Sequence, residues 1–309
     1  MLMNTVDIEE VYQDLNKTFN AALERTPTRY QDVANVLDTS SITEDQVFMP
    51  DLPNWREWRG DKYIHSLFLL SQDRYSLTCE PYEVTIGVKR RDLQADRLEI
   101  IRKKIEGLGE LAAAFPDERV ADAVNASFTA PCWDDRPFFD TEHPILKKNG
   151  ARSTFSNMGT VALSAASQED AIASLGAGLT ALGTMKNRSG RPVKIRKIKL
   201  VVPVALEDIA LVLANHRCLN DGTANPYKNR ITLEIWPELT NDRAWFLFGE
   251  SLGLKPFVLL QRKKPTFVKV TNPKDSYVVK KGQFLFGLEA DAVAGYTLPQ
   301  LAFASTGED

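Results

Sequence analysis

The stretch PFFDTEHP, residues 137 to 144, sets Asp140, Glu142 and His143 close together behind two phenylalanines. Carboxylates beside an imidazole are the donor types of a metal centre or of an acid/base pair. A catalytic metal wants about three protein ligands converging on one point. Between positions 130 and 150 there is a single histidine, with Asp134 and Asp135 as further acids, and the other two, His65 and His216, lie far along the chain. One reading is therefore a metal-dependent hydrolase using Asp140 and His143. The other is a turn, in which Asp140 accepts backbone hydrogen bonds, the residue before Pro144 is driven to an extended conformation, and Phe138 and Phe139 anchor the loop. Matches this short are mostly incidental, which favours the turn.

The remaining candidate chemistries are thinner. The run KNRSGRPVKIRKIK, 186 to 199, carries seven basic residues and on a strand can track a phosphate backbone. It lacks the interleaved aromatics of a single-strand platform, and Val193, Ile195 and Ile198 make it read better as a strand with one solvated basic face. Gly176, Gly178 and Gly183 fall inside a helical pattern, so they fail the context test for a dinucleotide fingerprint, and neither GxxxxGK[ST] nor GxSxG occurs. Arg59, Gly60 and Asp61 spell an adhesion tripeptide that reads as a charged turn. The three cysteines, Cys79, Cys132 and Cys218, are scattered and form no CxxC, which argues against a disulfide framework and a thiolate zinc site. Neither an export signal nor a membrane-length apolar run is expected, and the chain reads as intracellular. With a net charge of -3, no whole-molecule attraction to nucleic acid or anionic lipid follows.

The elements that would position these residues are clearer. Ile8, Val11, Leu15, Phe19 and Leu23 recur three or four apart, which predicts an amphipathic helix over 5–24. Residues 39–61, with two prolines and two tryptophans, read as an extended arm, and 62–90 as a long hairpin turning at SQD. A long helix follows through Leu98, Ile101, Ile105, Leu108, Ala112 and Phe115, with Pro116 restarting it toward Val120, Val124 and Phe128. Residues 151–170 read as a loop into a helix at 168–186. Residues 193–202 form a strand stopped by Pro203, and Leu206, Ile209 and Leu213 mark a further helix. Beyond 229, ITLEIW, AWFLFG, KPFVLLQ, TFVKV and QFLFGLEA read as short separate strands.

This order of arm, extended aromatic segment, hairpin, long helix and strand-rich half resembles the Hong Kong 97-type α+β fold of tailed-phage major capsid proteins. Five stretches sharpen the likeness: WREWRGDK at 55–62, YEVTIGVKRRDLQAD at 82–96, PFFDTEHP at 137–144, GRPVKIRKIKLVVPVALEDIALVL at 190–213 and KPFVLLQRKKP at 255–265. Together they resemble the Mu-like phage and prophage major head proteins over essentially the whole chain. The resemblance implies an N-arm at 1–45, an E-loop at 46–90, a peripheral domain with the spine helix at 91–194, an axial domain at 195–254, and return strands of the peripheral domain at 255–309. It implies no catalytic residue, no cofactor and no metal, so PFFDTEHP becomes a structural connection.

The implied function is a major capsid protein that self-assembles into an icosahedral head shell enclosing double-stranded DNA. The implied partners are other copies in hexamers and pentamers, a portal, a scaffold and decoration proteins, with weak interior contact to the DNA and no membrane. The place would be the virion, after assembly in the bacterial host cytoplasm. A cellular nanocompartment shell of the same fold is the nearest alternative. A shell subunit must offer several different surfaces to its neighbours. Aromatic residues and arginine are enriched at such contacts. The expected inter-subunit residues are therefore Ile8, Leu15, Phe19, Trp55, Trp58, Arg59, Tyr75, Tyr82, Arg90 and Arg91.

Overall fold

The computed structural model describes residues 5–45, 75–89, 91 and 92, 98–146, 152–163, 167–187, 190–218, 222 and 224–308. Helix α1 (Thr5–Arg25), followed in the chain by the short α2 (Tyr30–Val33), lays its apolar stripe along helix α3 (Leu98–Ala126), with Leu15 and Phe19 fully covered by Ile101, Ile105, Leu108 and Phe267. Gly109 allows the two helices to touch, since a Cβ there would meet the Phe19 carbonyl oxygen at 2.6 Å. Asp14 to Arg102 at 2.8 Å and Arg25 to Glu106 at 2.7 Å fix the register of the pair from its exposed rim. The long helix runs unbroken for 29 residues through Pro116, where the sequence pattern suggests a restart. A proline costs its own hydrogen bond and crowds the preceding turn. The helix is held on both sides of that point by buried Ala112, Ala113, Val120 and Val124, so tertiary packing overrides the break.

A four-stranded sheet, in the order β1-β11-β12-β4, carries this helix pair. Its strands are β1 (Ala34–Asp38), β4 (Glu80–Lys89), β11 (Phe257–Val270) and β12 (Gln283–Tyr296). KPFVLLQ and TFVKV, which read as two strands, are one 14-residue strand. The register shifts between Gln261 and Thr266 absorb Pro265, and β1 pairs only with Phe257 to Gln261, so the proline sits where β11 has become an edge. Between β11 and β12 a short helix α6 (Ser276–Lys281) begins at the Asp275 side chain and ends on left-handed Gly282. The expected hairpin over 62–90 is also redrawn. Strand β4 pairs with β12 from Glu80–Ala292 to Lys89–Gln283, while β3 (Ser76–Thr78) pairs with β2 (Thr43–Asp45). Residues 46–74, including the SQD turn, lie outside the described residues.

A second sheet, in the order β7-β13-β10-β8-β9, is covered on both faces. It contains β7 (Met158–Gly159), β8 (Arg196–Val202), β9 (Thr232–Ile235), β10 (Trp245–Glu250) and β13 (Ala302–Ser305). Leu200, Val202, Trp245, Leu247 and Phe303 meet helices α4 (Gln168–Gly183) and α5 (Glu207–Asn215). Val201, Phe246, Phe248, Ala302 and Ala304 face the other way, toward α3 and the first sheet. Two-sided burial explains why the strand loses its polar alternation at LVV. The span 151–170, which reads as a loop, supplies β7 and also β6 (Arg152–Phe155), paired with β5 (His143–Leu146).

Candidate functional site: a closed loop and an open groove

The loop from 131 to 143 leaves the end of α3 and passes between the two sheets. Phe138 stacks on Tyr296 with ring centroids 4.8 Å apart and tilts onto Phe257 at 5.4 Å, both in the four-stranded sheet. Phe139 meets Phe246 of the five-stranded sheet at 5.8 Å and Phe128 of the α3 exit at 5.4 Å. Both phenylalanines are completely buried. Neighbouring residues in one loop therefore pin the two sheets to each other.

The polar residues of this loop are spent on holding it. Asp140 does what the turn reading asks: its Oδ1 accepts the Glu142 N–H at 2.7 Å, and its own N–H donates to Asn157 Oδ1 at 3.0 Å. Buried Asn157 also donates to the carbonyls of Phe138 and Pro299. His143 has no exposure, and its partner is Asp134, with Nδ1 to Oδ2 at 2.8 Å. Its Nε2 faces the Phe138 carbonyl at 3.2 Å and its ring stacks on Phe155. Cys132 donates its S–H to the other Asp134 oxygen at 2.9 Å. Burial alone would push the Asp134 carboxyl upward, but the hydrogen bonds from His143 and Cys132 outweigh it and hold the group below its ordinary value. Burial, then the neighbouring Asp134, push the Cys132 thiol far up, so it stays protonated while nothing replaces its proton. The sequence pairing of Asp140 with His143 thus picks the wrong acid. Asp134 is nine residues upstream and comes back only because the loop turns on left-handed Asp135.

The second region has the opposite character. A groove of about 140 Å³ runs between β4 and α3, lined chiefly by Tyr82, Val84, Leu111, Phe115, Arg119 and Leu288. Val84 and Leu111 are exposed at 40% and 39% respectively, unusual for branched apolar side chains side by side. Tyr82 meets Phe115 edge-on at 5.1 Å and lies under the Arg119 guanidinium at 4.6 Å, so the groove wall is rigid. Among the described residues β4 pairs on one side only.

The expected contact residues divide accordingly. Tyr82 lines the groove, and Arg91 is exposed just beyond β4. Tyr75 is half-buried and accepts the Tyr296 N–H, burial pushing its phenol up to about 12. Leu15 and Phe19 are covered by their own α3 and sheet, leaving the opposite face of α1 outward. Trp55, Trp58, Arg59 and Arg90 lie outside the described residues, as does the side chain of Ile8. In the basic run, Lys199 is drawn between Asp32 and Glu234, each at 3.0 Å, and Lys197 reaches Glu250 at 3.1 Å, while Lys186, Arg191, Lys194 and Arg196 remain exposed. Val84 and Leu111 escaped the sequence reading. Val84 falls in step with Tyr82, Ile86 and Val88, and Leu111 lies beside the stripe of α3, so each reads as core until its exposure is seen.

A long helix on a twisted sheet, joined to a second sheet with its own helices, is the architecture of a viral shell subunit. The same arrangement occurs in the procapsid of bacteriophage JBD30, with a TM-score of 0.63 at 22% identity over 98% of this chain and 76% of that one. A virus-like particle from Pyrococcus furiosus matches with a TM-score of 0.57 at 8% identity, covering 95% of this chain and 98% of the other. The fold is therefore the Hong Kong 97-type α+β capsid fold. The sequence narrows the class further. The family model of the Mu-like prophage major head subunit gpT matches residues 8–167, 162–239 and 236–308, and the chain belongs to that family. It is 23% identical to the major capsid protein of Escherichia phage Mu over 308 residues, 100% of this chain and 76% of that protein. It is 22% identical to the Mu-like prophage FluMu major head subunit of Haemophilus influenzae over 301 residues, covering 97% and 73%. Its role is that of a major capsid protein, a structural subunit that assembles with other copies into the shell of a phage head. Neither the hydrolase nor the nanocompartment alternative gains support.

Proposed function

We propose that neighbouring copies close the shell by laying residues 46–74 of one subunit into the β4–α3 groove of the next. The single observation carrying this reading is the open, largely apolar groove beside a strand that, among the described residues, is paired on one side only. Asp45 and Ser76 are paired across the β2–β3 ladder, so the two ends of the 30-residue stretch between them lie side by side. The stretch includes Phe48, Trp55, Trp58, Tyr63 and Phe68, the residue types that anchor interfaces. Burying ~500 Å² of apolar surface at ~25 cal/mol per Å² gives on the order of 10 kcal/mol before ordering costs. Arg59, Arg90 and Arg91 set register against acids of the next copy, contributing specificity more than affinity. Ile8 and Tyr75 complete the contact set, with the outer face of α1.

In this mapping the N-arm is 1–45 and the E-loop extends from 46 into the 75–90 strand region. The spine helix and the β11–β12 strands form the peripheral domain. The axial unit takes 195–254 and also draws in α4, because Leu175, Leu179 and Leu182 share a core with Leu200 and Leu213. Exposed Lys186, Arg191, Lys194 and Arg196 supply weak contact to packaged double-stranded DNA. A portal, a scaffold and decoration proteins complete the head, assembled in the bacterial host cytoplasm. The chain's function is enclosure, without catalysis.

Negative-stain microscopy of the expressed chain tests the reading. Rings, tubes or closed particles are expected, and Trp58→Ala and Arg90→Glu should each lower their yield. Normal particles at full yield from both variants would show that the 46–74 segment and its flank are not the contact.

A further inference from the structure

We propose that Cys132, Asp134 and His143 bind one zinc-class divalent cation, which locks the loop joining α3 to the two sheets. One ligand atom from each residue lies within 4.8 Å of the others. All three side chains are sealed from solvent, with Cys132 3% exposed, His143 0% and the Asp134 side chain 2%. A thiol, an imidazole and a carboxylate are the donor set that zinc prefers.

The hydrogen-bond arithmetic around the imidazole points the same way. The Phe138 carbonyl can only accept, so the Nε2 that faces it at 3.2 Å carries a hydrogen. That leaves Nδ1 aimed at Asp134 Oδ2, 2.8 Å away, with Cys132 Sγ against Oδ1 at 2.9 Å. Three electron-rich atoms converge, and something positive must stand among them. Protons do so in the hydrogen-bonded form, and a metal ion does so by replacing them, with the Cys132 sulfur, His143 Nδ1 and the Asp134 carboxylate as its ligands. An imidazole whose far N–H is given to a backbone carbonyl is also the arrangement that orients a metal-ligating histidine. Bonds of about 2.0–2.3 Å in a tetrahedron space ligand atoms roughly 3.3–3.6 Å apart, so the Asp134 contacts at 2.8 and 2.9 Å need to lengthen by about half an ångström. The turn itself is already braced, by Cys132 N–H to the Arg136 carbonyl at 2.7 Å and by the Pro131–Pro137 bridge. Binding releases the thiol proton, and any proton on Nδ1, to solvent, so it tightens as pH rises. With no exposed face, the ion is structural and activates no water for a substrate.

The test uses the full chain, stripped with a chelator and titrated with Co(II), alongside metal analysis of protein purified from zinc-supplemented cells. About one ion per chain and a thiolate-to-cobalt charge-transfer band are expected, the band disappearing in Cys132→Ser. Because that variant can misfold, the wild-type chain alone also decides: less than about 0.1 ion per chain and no band with excess Co(II) would overturn the proposal. Particle formation is scored in the same preparations, so a negative metal result leaves the shell function standing.

Discussion

The 131–143 loop and the β4–α3 groove share one hydrophobic framework, which Phe115 touches from the groove side, and treat their side chains in opposite ways. In the loop, His143, Asp134, Cys132 and Asn157 turn inward and satisfy one another, and nothing is left over to meet a substrate. In the groove, Val84 and Leu111 stay exposed beside a strand edge that is unpaired among the described residues, an arrangement open to another chain. The region that looks like chemistry is architecture, and the region that looks like plain architecture is the one proposed above to serve assembly. For a shell subunit this is the expected division, since its work is done by surface area and geometry.

The comparison breaks most visibly at Phe138. Its ring touches Phe139, Phe257 and Tyr296 and has no exposure, so Phe138→Ala removes the peg between the sheets. A loss of about 3–5 kcal/mol is expected in urea unfolding of the unassembled chain. Phe115→Ala, in the half-buried groove wall, should cost clearly less. Equal losses would mean that the loop is no more a joint than the groove.

Asp134→Ala comes next. It strands the His143 N–H and the Cys132 S–H in a dry interior, and leaving buried donors unpaired costs about 1–3 kcal/mol. Asp140→Ala forfeits one exposed turn hydrogen bond, to the Glu142 N–H, and should cost about 1 kcal/mol or less. A larger loss at Asp140 than at Asp134 would reverse the assignment of partners made above.

The acid response of the loop has a definite sign. The Asp134 carboxyl is held below its ordinary value in the folded chain, despite burial, by the His143 and Cys132 hydrogen bonds. Its contribution is therefore complete above about pH 4, the unfolded value, and disappears as pH falls through the lower folded value. Asp117 runs the other way. Burial outweighs the N–H donors of Arg29 and Tyr30 and raises its pKa, so its contribution is fullest at acid pH and declines as pH rises through the folded value. Urea midpoints between pH 2 and 6 should fall less steeply toward acid in Asp134→Asn than in the parent, and more steeply in Asp117→Asn. Parallel curves for all three would remove the electrostatic part of this account.

These contrasts also explain what was legible in the sequence. Helix α1, helix α3 and strand β8 were readable because burial on one face, or on both, imposes a period or an unbroken apolar run on neighbouring residues. Resemblance supplied the topology, which periodicity does not carry, and the fold class followed from it. What stayed hidden depends on distance along the chain. The pairing of His143 with Asp134 needs a left-handed turn at Asp135, the merging of KPFVLLQ and TFVKV needs an edge for Pro265, and β4 needs a partner two hundred residues away. The groove was hidden for a different reason: Val84 and Leu111 fit the apolar patterns of their own elements and read as core, and nothing in either segment says that the space between them is left open.

The smallest effect on stability should be the most informative about function. Val84 is 40% exposed where it lines the groove, so Val84→Lys can reach water with its ammonium and leaves the four-stranded sheet its β4–β12 ladder. Leu111→Lys does the same on a helix surface, where lysine is a good helix former. Each should change the urea midpoint of the unassembled chain by no more than about 0.5 kcal/mol equivalent, the usual range for such surface changes. If a neighbouring copy buries the groove, each also forces a charge into a largely apolar contact in which Glu83 and Glu118 offset its desolvation only in part, and that penalty recurs at every copy around the shell. Particle yield should then collapse while the subunit stays folded, a pairing that no core substitution can produce. Particles formed at the parental yield by both variants would show that the groove faces solvent in the shell, and the contact would have to be sought on the outer face of α1.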